Sequence, residues 1–296
     1  MISYQRKVKN AIFKIVAFCA ALFAIIITFL IFGFVITRGI QPFLLENRFG
    51  TINIFSFLTG ATWRPKFNVY GIGYMILATV LATFWAVALA IPVALSTSIF
   101  TVFYLPRPLA KTVEFLVECL SGIPSIFFGI FGFIYILPFV KRFSTYPQGE
   151  SLVAVIIVLG IMTLPSMVLI MINSLQNVPI SQKEGSFALG ASKRQAILTV
   201  FLPSAKRGII TGIIIGITRA IGETMAVAIV AGNRESGFIT SPFQTVRLLT
   251  TNIILEQSYA TDLHAQLLWS TAIVLLIFVF IINLILFKLN GGNNNA

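Results

Sequence analysis

The run AIFKIVAFCAALFAIIITFLIFGFVI, residues 11–36, constrains this chain more than any other feature. About 20 consecutive apolar residues cross the ~30 Å hydrocarbon core of a bilayer as a helix. In lipid a spanning segment satisfies its own backbone polar groups, so a helix is the expected form. The run is too long for the apolar core of a secretory signal and lacks a small-residue cleavage site, so it reads as a retained anchor. Five further runs give six predicted spans, at roughly residues 13–36, 70–98, 110–140, 151–173, 207–232 and 266–288. The composition agrees: 57% of residues are hydrophobic and 10% charged, where a soluble domain carries about 25% charge. The expected fold is an all-α integral membrane protein with six transmembrane helices.

These spans divide the chain into a cytoplasmic N-terminus with the first helix (1–36), an outer loop (37–69), a five-helix core (70–290) and a tail (291–296). Within the core, a polar loop at 178–206 falls on the cytoplasmic side and a second outer loop at 233–265 on the other. Placing the N-terminus in the cytoplasm puts twelve basic residues inside, among them Arg107, Lys111, Lys183, Lys193, Arg194, Lys206 and Arg207. Eight fall outside, among them Arg38, Arg48, Arg64, Arg234 and Arg247. This is the expected positive-inside bias, and six spans return the C-terminus to the cytoplasm. The third span holds Gly122 and Pro124 at its middle, which leaves two readings open: a broken or re-entrant segment, or a proline-kinked helix.

The net charge of +12 raises the question of nucleic acid. No dense basic stripe interleaved with aromatics exists, so the charge is read as topological. Cys19 and Cys119 sit in apolar surroundings and suggest neither a disulfide framework nor, with no Cys/His cluster, a metal site. No GxxxxGK[ST] phosphate loop occurs, and no nucleophile–base set marks a catalytic centre. The single His264, in TDLHAQLL, lies near the predicted outer interface and is expected to be a solvated or interfacial histidine with no functional role.

Residues 218–227, TRAIGETMAV, place Arg219 and Glu223 four apart inside an apolar run. Each charge at bilayer depth costs roughly 2.5–3.5 kcal/mol or more. On a helix starting near Arg207, Arg219 lies about 18 Å in, close to mid-membrane. Gly212, Gly216, Arg219, Glu223, Ala226 and Val230 then share one face. Gly208, Gly212 and Gly216 form a small-xxx-small surface for close helix packing. Two readings stay open. In one, the pair is a structural lock, although Arg before Glu is the weaker order and buried pairs are often no better than apolar replacements. In the other, the pair lines a path for an anion, Arg219 presenting planar donors and Glu223 holding Arg219 in place, limiting how tightly the anion is held, as conduction requires, or accepting a hydrogen bond from a protonated anion. Further donors would come from Ser125, Thr163, Ser166, Thr224 and Asn233, each of which serves equally well as a packing hydroxyl or amide.

The segment SQKEGSFALGASKRQAILTVFLPSAKRG opens at Ser181. Ser181 with Glu184, and Ser192 with Gln195, match two capping boxes separated by Gly190. The pattern predicts a short helix, a glycine break and a second helix ending at Pro203. Such helices outside the bilayer rest either on their own bundle or on a partner.

The spacing of Glu184, Gly190, Val200, Leu202 and Pro203 resembles the EAA loop of ABC importer permeases, with Gly185 and Ser186 where alanines usually stand. In that family the loop is the coupling helix that docks on a cytoplasmic ATPase. The resemblance assigns coupling to Glu184, Gly185, Phe187, Ala188, Gly190, Ala191, Leu202 and Pro203. FLTGATWRP (57–65), SGIPSIFFGIFGF (121–133), EGSFALGAS (184–192) and RAIGETMAVAIVAGN (219–233) are together similar to permeases of high-affinity phosphate importers. The GETMAV form followed by GN resembles the PstC type more than the PstA type. The resemblance covers residues 12–288.

It implies a type I ABC importer permease fold in a bacterial plasma or inner membrane, with phosphate as substrate. The implied partners are a homologous PstA-like permease, two ATPase subunits, an extracytoplasmic phosphate-binding protein and membrane lipid, with no nucleic acid. This chain would carry no cofactor and no enzyme activity; ATP and Mg would belong to the ATPases. The rival readings are a permease for molybdate, tungstate, sulfate or phosphonate, an ion-coupled carrier or channel, and a membrane scaffold.

Overall fold

The computed structural model describes residues 2–44, 52–144, 146 and 148–291. Its helices in chain order are α1 (Ile2–Leu44), α2 (Ile54–Thr59), α3 (Gly73–Ile99), α4 (Arg107–Ser121), α5 (Ser125–Phe131), α6 (Leu137–Lys141), α7 (Leu152–Gln176), α8 (Ile180–Ala188), α9 (Lys193–Ala196), α10 (Leu202–Gly222), α11 (Met225–Val230), α12 (Leu249–Glu256) and α13 (Asp262–Gly291). Wider π turns join α3 to its end at Tyr104 (Phe100–Tyr104), α5 to α6 (Gly132–Ile136) and α9 to α10 (Ile197–Phe201). Among the described residues, five helices are long and apolar enough to cross a membrane, or six if the bent pair of α4 with α5–α6 is one span.

The helices surround α7, whose most apolar stretch is 67% buried, against 0% for that of α1. The reason lies in small residues on its neighbours. In α3, Ala78, Ala82, Ala86, Ala90 and Ala94 recur every fourth position and are all buried; α3 packs along α7. In α10, a Cβ on Gly208 would sit 1.9 Å from Ser174 Oγ, one on Gly212 3.2 Å from Met171 Cγ, and one on Gly216 2.6 Å from Met167 Sδ. Two faces of α7 are thus approached at backbone distance, which maximises dispersion contacts where lipid removes the hydrophobic drive for helices to associate.

Several boundaries differ from the sequence expectation. The first helix runs past residue 36 to Leu44, with Pro42 in its final turn, and leans on α13, where Ser270 Oγ donates to the Gly39 carbonyl at 2.7 Å. The third predicted span bends by 94° between Ser121 and Ser125. A proline kink in a continuous helix does not reach that angle, so the segment is broken. Gly122 and Pro124 cause it, because the residue before proline is driven out of helical geometry. α4 stays at the end of α7, where Gln176 Nε2 donates to Glu114 Oε1 at 2.7 Å. Ser125–Lys141 instead runs against α11 and α7, with Gly129 on Ala226 and Gly132 on Val158.

The fifth predicted span starts at Lys193 instead of 207 and ends at Gly222 instead of 232. Pro203 does not stop it. The π turn just before has one extra residue, which places the proline in the first turn of α10, where its missing N–H is tolerated. Nor does Ser181 cap a helix: α8 begins one residue earlier, behind Pro179, leaving Ser181 inside the first turn. The second box does form, Ser192 N donating to Gln195 Oε1 at 2.9 Å and Gln195 N to Ser192 Oγ at 3.4 Å. Gly190 turns the chain between them at φ +81°, a conformation open to glycine.

At the opposite end the two long loops join. Strands Trp63–Arg64 and Val69–Tyr70 form a hairpin, and Trp63 N and Gly237 N donate to the carbonyls of Glu235 and Ala61 at 2.8 and 2.7 Å. Trp63, Tyr70, Tyr74 and Phe57 pack there on Leu263 and Leu267 of α13. Arg48 and the tail 292–296 lie outside the described residues.

The close approach of α10 predicts that Gly208→Ala destabilises the protein by about 1–3 kcal/mol through overpacking. Combining it with Ser174→Ala, which removes the nearest atom, restores part of the loss. Thermal melts of the detergent-solubilised variants measure both effects.

Candidate functional site

α10 ends where the tripeptide Gly222-Glu223-Thr224 begins. Glu223 has ψ 130° and Thr224 has φ −123° and ψ −54°, so neither is helical, and α11 restarts at Met225. A break at membrane depth exposes backbone groups that must find partners. Ala226 N donates to Glu223 Oε1 at 3.0 Å, and Thr250 Oγ1 donates to the Glu223 carbonyl at 2.8 Å. The carboxylate therefore caps α11, where free amides favour negative charge. The continuous face shared by Arg219, Glu223, Ala226 and Val230 does not exist, because the chain leaves the helix between them.

Arg219 turns to α7 instead. Its Nη1 donates to Ser166 Oγ. Among the described residues no carboxylate forms an ion pair with Arg219; those of Arg64, Arg247 and His264 lie elsewhere, on Glu235 and Glu256. The lock formed by Arg219 and Glu223 on each other is absent. Glu223 is buried and Arg219 half-buried, leaving an unneutralised guanidinium one turn before a break in its own span.

The other expected donors divide. Ser166 meets Arg219 directly. Thr163, one turn away on α7, is fully buried and bonds the Gly160 carbonyl of its own helix at 3.0 Å. Thr224 Oγ1 donates to the Gly222 carbonyl at 3.2 Å and stays at the break. Ser125 opens α5 beyond the 94° bend, half-buried. Asn233 ends the segment after α11 at φ +48°, its Nδ2 donating to the Ala228 carbonyl at 2.8 Å while its Oδ1 is buried without a partner.

At the far end of the bundle, α8 and the Gly190 turn form a projecting surface. Glu184, Gly185, Phe187, Ala188 and Gly190 are exposed, Leu189 is 91% exposed, and Ala191 is half-buried. Leu202 and Pro203 lie apart from this surface, in the first turn of α10. Among the described residues no group of three or more His, Cys, Asp or Glu is arranged to hold a metal ion.

Sequence reasoning missed a polar cluster at the Trp63 end. Arg247 Nη1 donates to Glu256 Oε1 at 2.8 Å and to Asn252 Oδ1 at 3.1 Å, and its Nε to the Asn233 carbonyl at 3.1 Å. His264 Nε2 lies 3.1 Å from Glu256 Oε2. His264 is 8% exposed, so the expected solvent contact is wrong: Trp63, Tyr70 and Tyr259 cover its ring. No helical spacing joins these residues: Arg247 precedes α12 and reaches along it to Asn252 and Glu256, and His264 meets Glu256 across the turn that follows. The available signal was Glu256 itself, one of nine acidic residues in the chain, set in the apolar run NIILEQ. Burial alone would raise its carboxyl, but the close His264 Nε2, the charge and hydrogen bond of Arg247 and the Tyr259 hydroxyl outweigh it and hold the group down at about 2.

Residues 86–291 match the family model described as binding-protein-dependent transport system inner membrane component. The chain is 33% identical over 253 residues to the probable ABC transporter permease protein YqgH of Bacillus subtilis, covering 84% of this chain and 80% of that one. It is 30% identical over 249 residues to the phosphate transport system permease protein PstC of Mesorhizobium japonicum, covering 77% and 76%. In fold it is similar, with TM-score 0.64 and 13% identity over 93% of this chain and 95% of the other, to a chain of a bacterial ABC transporter involved in the import of the acidic polysaccharide alginate.

The Glu256 cluster carries a pH prediction. Its folded pKa of about 2 lies below the ordinary 4.5, so the unfolded chain binds the proton more readily. The stability this group adds is complete above the ordinary value and is lost as pH falls through about 2, on the order of 3 kcal/mol. Thermal midpoints recorded down this pH range should fall in the wild type. Glu256→Gln should start lower and lose this component of the slope.

Proposed function

Because this chain belongs to the family of binding-protein-dependent transport system inner membrane components, and is a multi-pass permease subunit of an ABC importer, we propose that it forms half of a phosphate path. The observation that carries the proposal is the Arg219 guanidinium, held by Ser166 inside a spanning helix with no carboxylate beside it. A half-buried charge without a counter-charge is unfavourable at membrane depth, and a passing anion relieves it. The planar donors of arginine suit phosphate oxygens. Phosphate is favoured over other oxyanions by the RAIGETMAV run and by the names of the PstC relatives.

Each residue then has a task. Arg219 attracts the anion, and Ser166 orients the guanidinium. Glu223 keeps the helix broken by capping α11, and its negative charge keeps the anion's stay short, since a conducting site must also release. The second half of the path is a homologous, PstA-like permease. α8 and the Gly190 turn dock on a cytoplasmic ATPase, which places both termini in the cytoplasm. Two such ATPases hold ATP and Mg; this chain holds no cofactor. The joined loops around Trp63 and Gly237 face an extracytoplasmic phosphate-binding protein. ATP-driven closure of the ATPases moves the docked helices and alternates access to the path.

Vesicles reconstituted with the whole complex test this reading. Arg219→Gln should assemble yet take up phosphate roughly 10- to 100-fold more slowly, the ~1.5–3 kcal/mol of a hydrogen bond to a charged group. Glu223→Gln keeps an oxygen for the Ala226 amide, so assembly should survive while transport changes. Normal uptake by Arg219→Gln would sink the path assignment, and loss of assembly would make the arginine a lock between permeases. Competition by molybdate, sulfate or a phosphonate that matches phosphate would move the substrate to that anion.

A further inference from the structure

Three aromatic rings connect the projecting helix to two spans. Phe187 of α8 meets Phe201 edge-on, centroids 6.2 Å apart at 72°. Phe201 stacks on Phe103, 5.0 Å apart at 12°. Phe201 is 2% exposed and is the last residue of the π turn Ile197–Phe201. Phe103 lies within the other π turn, Phe100–Tyr104, at the end of the α3 span. Lys193 Nζ, at the start of α9, sits 4.8 Å above the Tyr104 ring and links α9 to the π turn that ends the α3 span.

A π turn is a local departure from the i→i−4 ladder, found mostly as single turns and frequently at functional sites. Here both spans have one at the same level, and one ring closes the gap between them. α8 packs on the π turn and on α9, and a hydrogen bond from Ser204 Oγ to Gln182 Oε1, 2.7 Å, adds a second hold on α8 beside α10. Lys183 Nζ also donates to the Gln176 carbonyl of α7 at 3.2 Å, so α8 is held at several points, of which Phe201 is the one that also reaches the α3 span. Offset stacking of aromatic rings is attractive beyond the burial of the rings themselves, and here it joins the two π turns directly.

We propose that Phe201 is a positioning residue for transport: its ring, stacked on Phe103, carries displacement of the Ile180–Ala188 helix into the Gly73–Tyr104 and Lys193–Gly222 spans as one unit. This rests on the reading of α8 as the ATPase-docking helix. The side chain touches neither anion nor nucleotide and acts through the two π turns.

The test uses the reconstituted complex with inorganic phosphate and its binding protein, and reads phosphate taken up per ATP hydrolysed. Phe201→Leu keeps the site apolar and removes the ring. It should retain the ATPase subunits and basal hydrolysis, while phosphate per ATP falls several-fold. Phe103→Leu, on the less buried side of the stack, should give the same loss, and the double variant no further loss, because both remove one interaction. Phe201→Trp should restore part of the ratio. An unchanged ratio in both leucine variants overturns the proposal, as does a parallel fall of uptake and hydrolysis or additive losses in the double variant. Should Phe201→Leu fail to assemble, Phe103→Leu decides alone.

Glu184→Arg separates the two readings. If the ATPase subunits still co-purify normally with that variant, the docking assignment of α8 has failed. If they are lost while Phe201→Leu keeps full coupling, only the ring relay has failed.

Discussion

The approach of α3 and α10 to α7 at backbone distance is the contact on which the remaining structure hangs. It exists because Ala78 to Ala94 and Gly208 to Gly216 present almost no side chain where the three helices meet. In lipid, apolar side chains gain little by leaving one apolar medium for another, so shape and close contact decide which helices associate. Larger residues at these positions would separate the helices and withdraw Ser166 from Arg219. The charged site thus depends on glycine and alanine far more than on its own charges. α1, without such a surface except at Gly39, remains at the edge.

The rigid centre permits breaks around it. The bend after Ser121 and the interruption after Gly222 each free backbone groups that lipid cannot satisfy. At the second break the protein answers with the Glu223 carboxylate on Ala226 N and the Thr250 hydroxyl on the Glu223 carbonyl. The acidic side chain is thereby engaged by an amide of α11 and leaves Arg219 without its obvious counter-charge.

The end around Trp63 follows different rules. Its loops form hydrogen bonds to one another and enclose Arg247, Glu256 and His264 in a cluster linked to the Asn233 carbonyl, just beyond α11. The segment after the break is consequently held at both extremities, by Glu223 and Thr250 at its start and by Asn233 and Arg247 at its finish. The end around Gly190 is held by aromatic rings and remains largely open. One end is braced by buried charge and the other presents a surface.

Length, hydropathy and local spacing determined the class of the chain without help from tertiary structure. Apolar runs of membrane length admit only helices, which is why the spans from Gly73, Leu152 and Asp262 fall where expected. The Ser192–Gln195 box and the Gly190 turn were equally legible, because both depend on residues within four positions of one another. Only the tertiary structure decided the rest. Helical periodicity put Arg219 and Glu223 on one face, but a helix continues only while its backbone has no better partner, and here Glu223 found the Ala226 amide and Thr250. Ser166 and the Arg247–Glu256–His264 cluster are joined to their partners through packing around α7 and α13, with no mark in local spacing. The chain alone therefore determined that it spans a membrane and where the Gly190 turn lies, while its helix breaks and the pairing of its buried charges were settled by which helices could approach closely enough to offer a partner.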